Sequence, residues 1–193
     1  MSSKIVLAST SKYRKELLSR LGISFSQESP EVDETPENNE APSNLAVRLA
    51  RKKAKAIADK HDSGIIIGSD QVAAVDGRIL KKPLEMEKAV KQLLSLSGKE
   101  VYFLTAVCVH NIDQDQTQVE LDEVIVTFRT LDEDDVRRYL DKEPAFDCVG
   151  AFKSEGLGIS LCDKVVSHDP TSLIGLPLVR VSRMLRAAGV LIP

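Results

Sequence analysis

A mixed α/β fold, a sheet with helices on its flanks, is what this sequence predicts, and three observations carry the prediction. The run Gly64-Ile65-Ile66-Ile67-Gly68 is apolar at consecutive positions and bounded by glycine, the pattern of a central strand covered on both faces. Two long segments, Val101 to Val109 and Gln118 to Phe128, read as strands joined by a polar turn. Helical patterns fall between these strands without strict alternation, which favours a mixed sheet over a purely parallel one.

From the N-terminus, Lys4 to Ala8 is a short apolar strand. Ser9-Thr10-Ser11 then offers capping hydroxyls to a helix with Leu17, Leu18 and Leu21 on one face. A second short strand is expected around Ile23 to Gln27. Glu28 to Ser43, rich in proline and acidic residues, reads as a mobile loop. Asn44 to Lys60 forms a helix whose apolar face holds Leu45, Leu49 and Ile57, while Arg48, Arg51, Lys52, Lys53 and Lys55 crowd the rest. Ser69-Asp70-Gln71 is expected at the end of the central strand. Asp76-Gly77 is a hairpin signal, followed by helices from Glu85 to Leu96 and near Glu133 to Leu140. Gly150 to Gly158 should lead into short strands, and a last helix from about Leu178 to Ala188 is stopped by Gly189.

The 193 residues suit a single domain, 1–193, with a real hydrophobic core. A formal net charge of −3 argues against wrapping a nucleic-acid backbone, so any phosphate is expected to be held locally in a pocket. Cys108, Cys148 and Cys162 are odd in number and far apart, which leaves neither a disulfide framework nor a zinc site to read. No signal-peptide core and no membrane-spanning run is visible, so no membrane partner is expected and the cytoplasm is the default compartment.

Leu7-Ala8-Ser9-Thr10-Ser11-Lys12-Tyr13-Arg14-Lys15-Glu16-Leu17-Leu18 resembles the opening signature of the Maf proteins, L-A-S-x-S-P-R-R-x-E-L-L. Val32-Asp33-Glu34, Lys53-Ala54-x-Ala56, Gly68-Ser69-Asp70, Lys82-Pro83 and Gly175-Leu176-Pro177-Leu178 follow in the order that family shows. The resemblance implies an elongated mixed sheet with two lobes around a nucleotide cleft, shared with inosine triphosphate pyrophosphatases. It also implies a nucleoside triphosphate pyrophosphatase, a hydrolase acting on acid anhydrides, dependent on magnesium or manganese. By that resemblance Asp70 is the proton acceptor, and Glu34 and Asp70 are the metal carboxylates. The chemistry of the remaining residues agrees. A serine-rich turn at a helix N-terminus suits phosphate oxygens, so Ser9 and Ser11 are candidate phosphate ligands, with Arg14 one turn in and Lys53 and Lys82 as point charges.

Each residue has a plainer reading beside this one. Ser9 and Ser11 could be caps alone, Lys53 one residue of a solvated helix face, and Lys82 part of a turn. Asp70 is harder to set aside, because a carboxylate directly after a buried strand stands where open α/β sheets bind ligands.

Tyr13, Gln71 and Glu155 depart from the arginine, threonine and glutamine of family members that favour dTTP and UTP. They resemble instead the branch that hydrolyses 7-methyl-GTP. A methylated guanine is cationic and stacks on an aromatic ring, and its N1–H and N2–H₂ edge donates to a carboxylate. The plainer reading packs Tyr13 in the core and leaves Glu155 on a solvated loop. Lys12 for the family proline and Ser172 for its usual asparagine are further local departures. The alternatives are a pyrophosphatase for pyrimidine triphosphates and a non-catalytic nucleotide-binding regulator of septum formation. Dinucleotide redox chemistry fails for want of a G-x-G-x-x-G turn. A homodimer is compatible with the sequence, though no residue specifies one.

Overall fold

The computed structural model describes residues 4–193. Seven strands form one mixed sheet in the order β2-β1-β3-β5-β6-β7, with β4 paired to β3. The strands are β1 (Ile5–Ala8), β2 (Ser26–Glu28), β3 (Ile65–Val75), β4 (Arg78–Ile79), β5 (Glu100–Asn111), β6 (Gln116–Phe128) and β7 (Cys162–Ser167). The helices are α1 (Lys12–Ser19), α2 (Pro42–Ala58), α3 (Met86–Leu96), α4 (Glu133–Lys142) and α5 (Leu178–Ala187). β1 pairs in parallel with β2 and β3, whereas β3–β4 and β6–β7 are antiparallel. Among the described residues no helix is long and apolar enough to cross a membrane.

Residue contacts divide the chain into two compact units. The first takes the chain up to Gln71 with Thr105–Asp122 and Asp169–Pro193, and the second takes Val72–Leu104 and Glu123–His168. In the first, Ile5 and Leu7 of β1, Ile65 and Ile67 of β3 and Val107 and Val109 of β5 meet Leu17 and Leu18 of α1 and Val181, Met184 and Leu185 of α5. Full burial of such side chains contributes about 1.5–3 kcal/mol each. Gly68 sets how closely α2 lies on β3. A Cβ there would fall 2.3 Å from the Ala50 carbonyl oxygen and 2.6 Å from the Ala54 nitrogen, so only glycine permits this approach.

In the second unit, Phe152 packs against Phe103 at a tilt and against Phe128 edge-on, with ring centroids 5.7 and 5.2 Å apart. Asp76 (φ 50°) and Gly77 (φ 74°) close the β3–β4 hairpin through a left-handed pair, as an Asp-Gly turn requires.

Two segments depart from the sequence reading. β3 does not stop at Gly68 but runs through Ser69-Asp70-Gln71 to Val75, so Asp70 lies within a strand rather than at its end. A strand can carry polar residues through a core when each finds a partner, and Ser69 Oγ lies 2.9 and 3.1 Å from the carbonyls of Ala106 and Gly175, which share its one O–H. Where short strands were expected from Gly150 onward, the chain makes two 3₁₀ turns, Val149–Ala151 and Leu157–Leu161, and then one strand, β7.

Candidate active site

The first unit gathers Ser9, Ser11, Arg14, Glu34, Lys53 and Asp70. Ser11 caps α1, its Oγ accepting from the Arg14 backbone N–H at 3.4 Å. Ser9 Oγ accepts from the Ser11 N–H at 3.2 Å and from Arg14 Nη1 at 3.4 Å. Both serines therefore have the capping-turn role open to them. The turn also fixes Arg14, whose Nε donates to the Gly175 carbonyl at 2.9 Å. Gly175 sits at φ 122°, a backbone shape that favours glycine. From there its carbonyl accepts from both Arg14 and Ser69.

Lys53 is the center of the charge pattern. It lies on α2 between Ala50 and Ala54, the two residues that Gly68 approaches, and its Nζ is 2.6 Å from Asp70 Oδ1 and 2.6 Å from Glu34 Oε1. Lys53 and Asp70 are buried, at 5% and 6% exposure, while the Glu34 side chain is 58% exposed. The crowded basic face of α2 is thus not merely solvated. Lys52 Nζ donates to the Asp33 carbonyl at 2.9 Å, and Arg48 Nη2 to the Thr35 carbonyl at 3.1 Å. These bonds hold the acidic loop that presents Glu34 to Lys53.

Burial pushes the Asp70 carboxyl above the usual aspartate range, against the pull of Lys53 and Arg14 toward the ionised form; Glu34 adds to the upward shift. Burial lowers the Arg14 guanidinium, opposed by the charges of Asp70 and Glu34. A carboxyl perturbed in this way, beside shared cations, is the type of group found where proton transfer takes place.

Gln71 follows Asp70 in β3, and its hydrogen bonds all leave from Nε2, to Thr105 Oγ1 at 3.0 Å and to the carbonyls of Ser172 and Leu173 at 2.9 and 3.1 Å. Two backbone carbonyls can only accept, which fixes the nitrogen on that side. Tyr13 is half-buried and carries a cation on its ring, Lys12 Nζ at 4.9 Å from the centroid. Lys82 and Glu155 belong to the second unit and are exposed there.

The sequence reading named Ser172 and Gly175-Leu176-Pro177-Leu178 but missed the residue that organises their segment, Asp169. Asp169 is buried, and its carboxylate accepts from the N–H groups of Thr171 at 2.9 Å and Val179 at 2.7 Å, so it caps α5 from outside the helix. The Asp169-Pro170 pair was the available signal, since aspartate before proline favours turn initiation. Asp122 was also missed. It is 1% exposed and bound by Arg180 and Ser172.

Known proteins extend these observations. A protein named 7-methyl-GTP pyrophosphatase from Aromatoleum aromaticum is 50% identical over 191 residues, covering 99% of this chain and 98% of its own. One of the same name from Xanthomonas oryzae pv. oryzae is 49% identical over the whole of both chains. Among solved structures, a nucleoside-triphosphatase / dITP/XTP pyrophosphatase from Mycobacterium abscessus aligns over 96% of this chain and 97% of its own. At 18% identity and a TM-score of 0.45 that likeness carries no argument. The family model described as Maf-like protein matches residues 4–188, and the chain belongs to that family.

Proposed function

We propose that this chain hydrolyses 7-methyl-GTP to 7-methyl-GMP and pyrophosphate in the cytoplasm, with a divalent cation. The observation that carries the chemistry is the shared contact of Lys53 with Asp70 and Glu34 at 2.6 Å each, beside Arg14. The names of relatives about half identical over nearly full length support the substrate.

Among the described residues no group of three or more His, Cys, Asp or Glu is arranged to hold a metal. Two carboxylates that approach one ammonium nevertheless fit a cation of the magnesium type, which takes one or two protein carboxylates and completes its shell with water and phosphate oxygens. Asp70 and Glu34 would hold it. Bound there, it would supply charge neutralisation for the phosphates and lower the pKa of a coordinated water.

The chain's own groups do the rest. Asp70, its carboxyl raised by burial, takes the proton from the attacking water. Lys53 and Arg14 balance the negative charge that accumulates on the phosphates, and Lys82 adds a further point charge. Ser9 and Ser11 line the turn that presents Arg14. At the base, Tyr13 stacks on the cationic ring, Glu155 accepts from its donor edge and Gln71 contributes a further contact.

Turnover across 7-methyl-GTP, GTP, dTTP, UTP and CTP with magnesium or manganese tests the reading. Pyrophosphate and a monophosphate should appear fastest from 7-methyl-GTP, and EDTA should stop the reaction. Orthophosphate with a nucleoside diphosphate as first products would refute the reaction, and preference for dTTP or UTP would refute the substrate.

A further inference from the structure

Asp122 stands on β6 and takes no part in the charge pattern around Lys53. A carboxylate taken out of water is costly unless its oxygens are satisfied, and these are. Arg180 donates to its Oδ1 through Nε at 3.1 Å and Nη2 at 2.6 Å, and the Ser172 hydroxyl donates to its Oδ2. Ser172 has no exposed surface, and its carbonyl accepts from Gln71 Nε2 and from Thr105 Oγ1, each at 2.9 Å. Thr105 Oγ1 in turn accepts from Gln71. A continuous set of hydrogen bonds therefore runs from Arg180 and Asp122 through Ser172 to the amide of Gln71, all within the first unit.

We propose that Asp122 is a positioning residue for base selection: by fixing Ser172 it holds the Gln71 amide with its nitrogen on the 172–173 turn and its carbonyl oxygen on the opposite side. A glutamine so held presents an acceptor, which suits the two-donor N1–H and N2–H₂ edge of guanine better than thymine, whose single N3–H lies between two carbonyl acceptors. The proposal rests on the reading of Gln71 as a residue that meets the base. It adds that the selectivity of that contact is set by a buried carboxylate two hydrogen bonds away.

The test combines NMR of the side-chain amide with kinetics. In protein labelled with ¹⁵N at glutamine, the NH₂ pair lost in Gln71→Ala identifies Gln71. Asp122→Asn and Ser172→Ala should each shift that pair and lower the ratio of kcat/KM for 7-methyl-GTP over dTTP by about tenfold. Ser172→Thr, which keeps the hydroxyl, should preserve both. In a Gln71→Ala background, Asp122→Asn should lower the ratio no further, because the two residues act through one contact. Unmoved amide signals in both variants overturn the positioning. Moved signals with an unchanged ratio, where Gln71→Ala alone lowers it, overturn the link to selectivity. A Gln71→Ala enzyme with the parent ratio overturns instead the assignment of Gln71 to the base, and the proposal with it. Equal loss on both substrates reduces Asp122 to a stabilising residue and overturns the proposal.

Discussion

Asp70 and Asp122 are both buried aspartates on strands of the same sheet, each facing a cation from a helix, yet they are bound in opposite ways. Asp122 receives three hydrogen bonds, from two nitrogens of Arg180 and one hydroxyl of Ser172, which fix both its oxygens. Among the described residues the side-chain hydrogen bonding of Asp70 comes from Lys53 alone, and Lys53 divides its contact with the exposed Glu34. A planar guanidinium fork locks a carboxylate in one geometry, whereas an ammonium is a point charge that can be shared and shifted. Saturation makes Asp122 a fixed strut. With only Oδ1 engaged by a shareable ammonium, Asp70 keeps capacity for a proton or a cation, and burial raises its proton affinity at the same time.

The largest consequence should be in turnover. Asp70→Asn keeps the shape but removes the charge, and loss of a positioned base costs on the order of 10²–10⁴ in rate. Asp122→Asn should retain far more activity. Rapid-quench turnover of both purified variants decides the matter: if the Asp70 variant keeps near-parent kcat, Asp70 has no part in the chemistry and the contrast collapses.

Stability should reverse the order. Asp122→Ala strands Ser172 and removes two of the three side-chain hydrogen bonds of a partly buried Arg180, and should cost about 1.5–3 kcal/mol in urea unfolding. Arg180 keeps Glu120 as a partner at 2.9 Å and is partly exposed, which holds the loss to that range. An Asp122→Ala protein as stable as the parent would show that the strut carries no load.

The same contrast explains what the sequence could reveal. β1, the capping serines, α2, the Asp-Gly hairpin and the Gly189 stop rest on neighbouring residues, and periodicity or turn chemistry displays them. The length of β3 does not. Ser69-Asp70-Gln71 resembles a strand end because three polar residues in a row are costly inside a core, and their partners lie far off in the chain, at Lys53, Thr105, Ala106, Ser172 and Gly175. Lys53 was a candidate from the sequence, but its burial was hidden for a related reason. On α2 it is one of several basic residues, and only the close approach allowed at Gly68 buries it. Asp122 gave no local signal, since its partners stand on another helix and in the 169–177 segment.

The smallest expected effect sharpens the comparison most, because it has a sign for each neighbour of Asp70. Burial favours the neutral acid and raises its pKa, Lys53 and Arg14 favour the anion, and Glu34 disfavours it. Lys53→Met removes a cation that opposes burial, so the Asp70 carboxyl should titrate at higher pH than in the parent. Glu34→Gln removes a like charge, so the carboxyl should titrate at lower pH. A ¹³C titration of the Asp70 carboxyl in metal-free, nucleotide-free protein reads both without the field of a bound cation, which would otherwise dominate. Opposite displacements at Asp70 establish that Lys53 and Glu34 tune one carboxylate from two sides. Displacements of the same sign would mean that the loop carrying Glu34 had rearranged, and the shared contact at Lys53 would no longer account for the reactivity of Asp70.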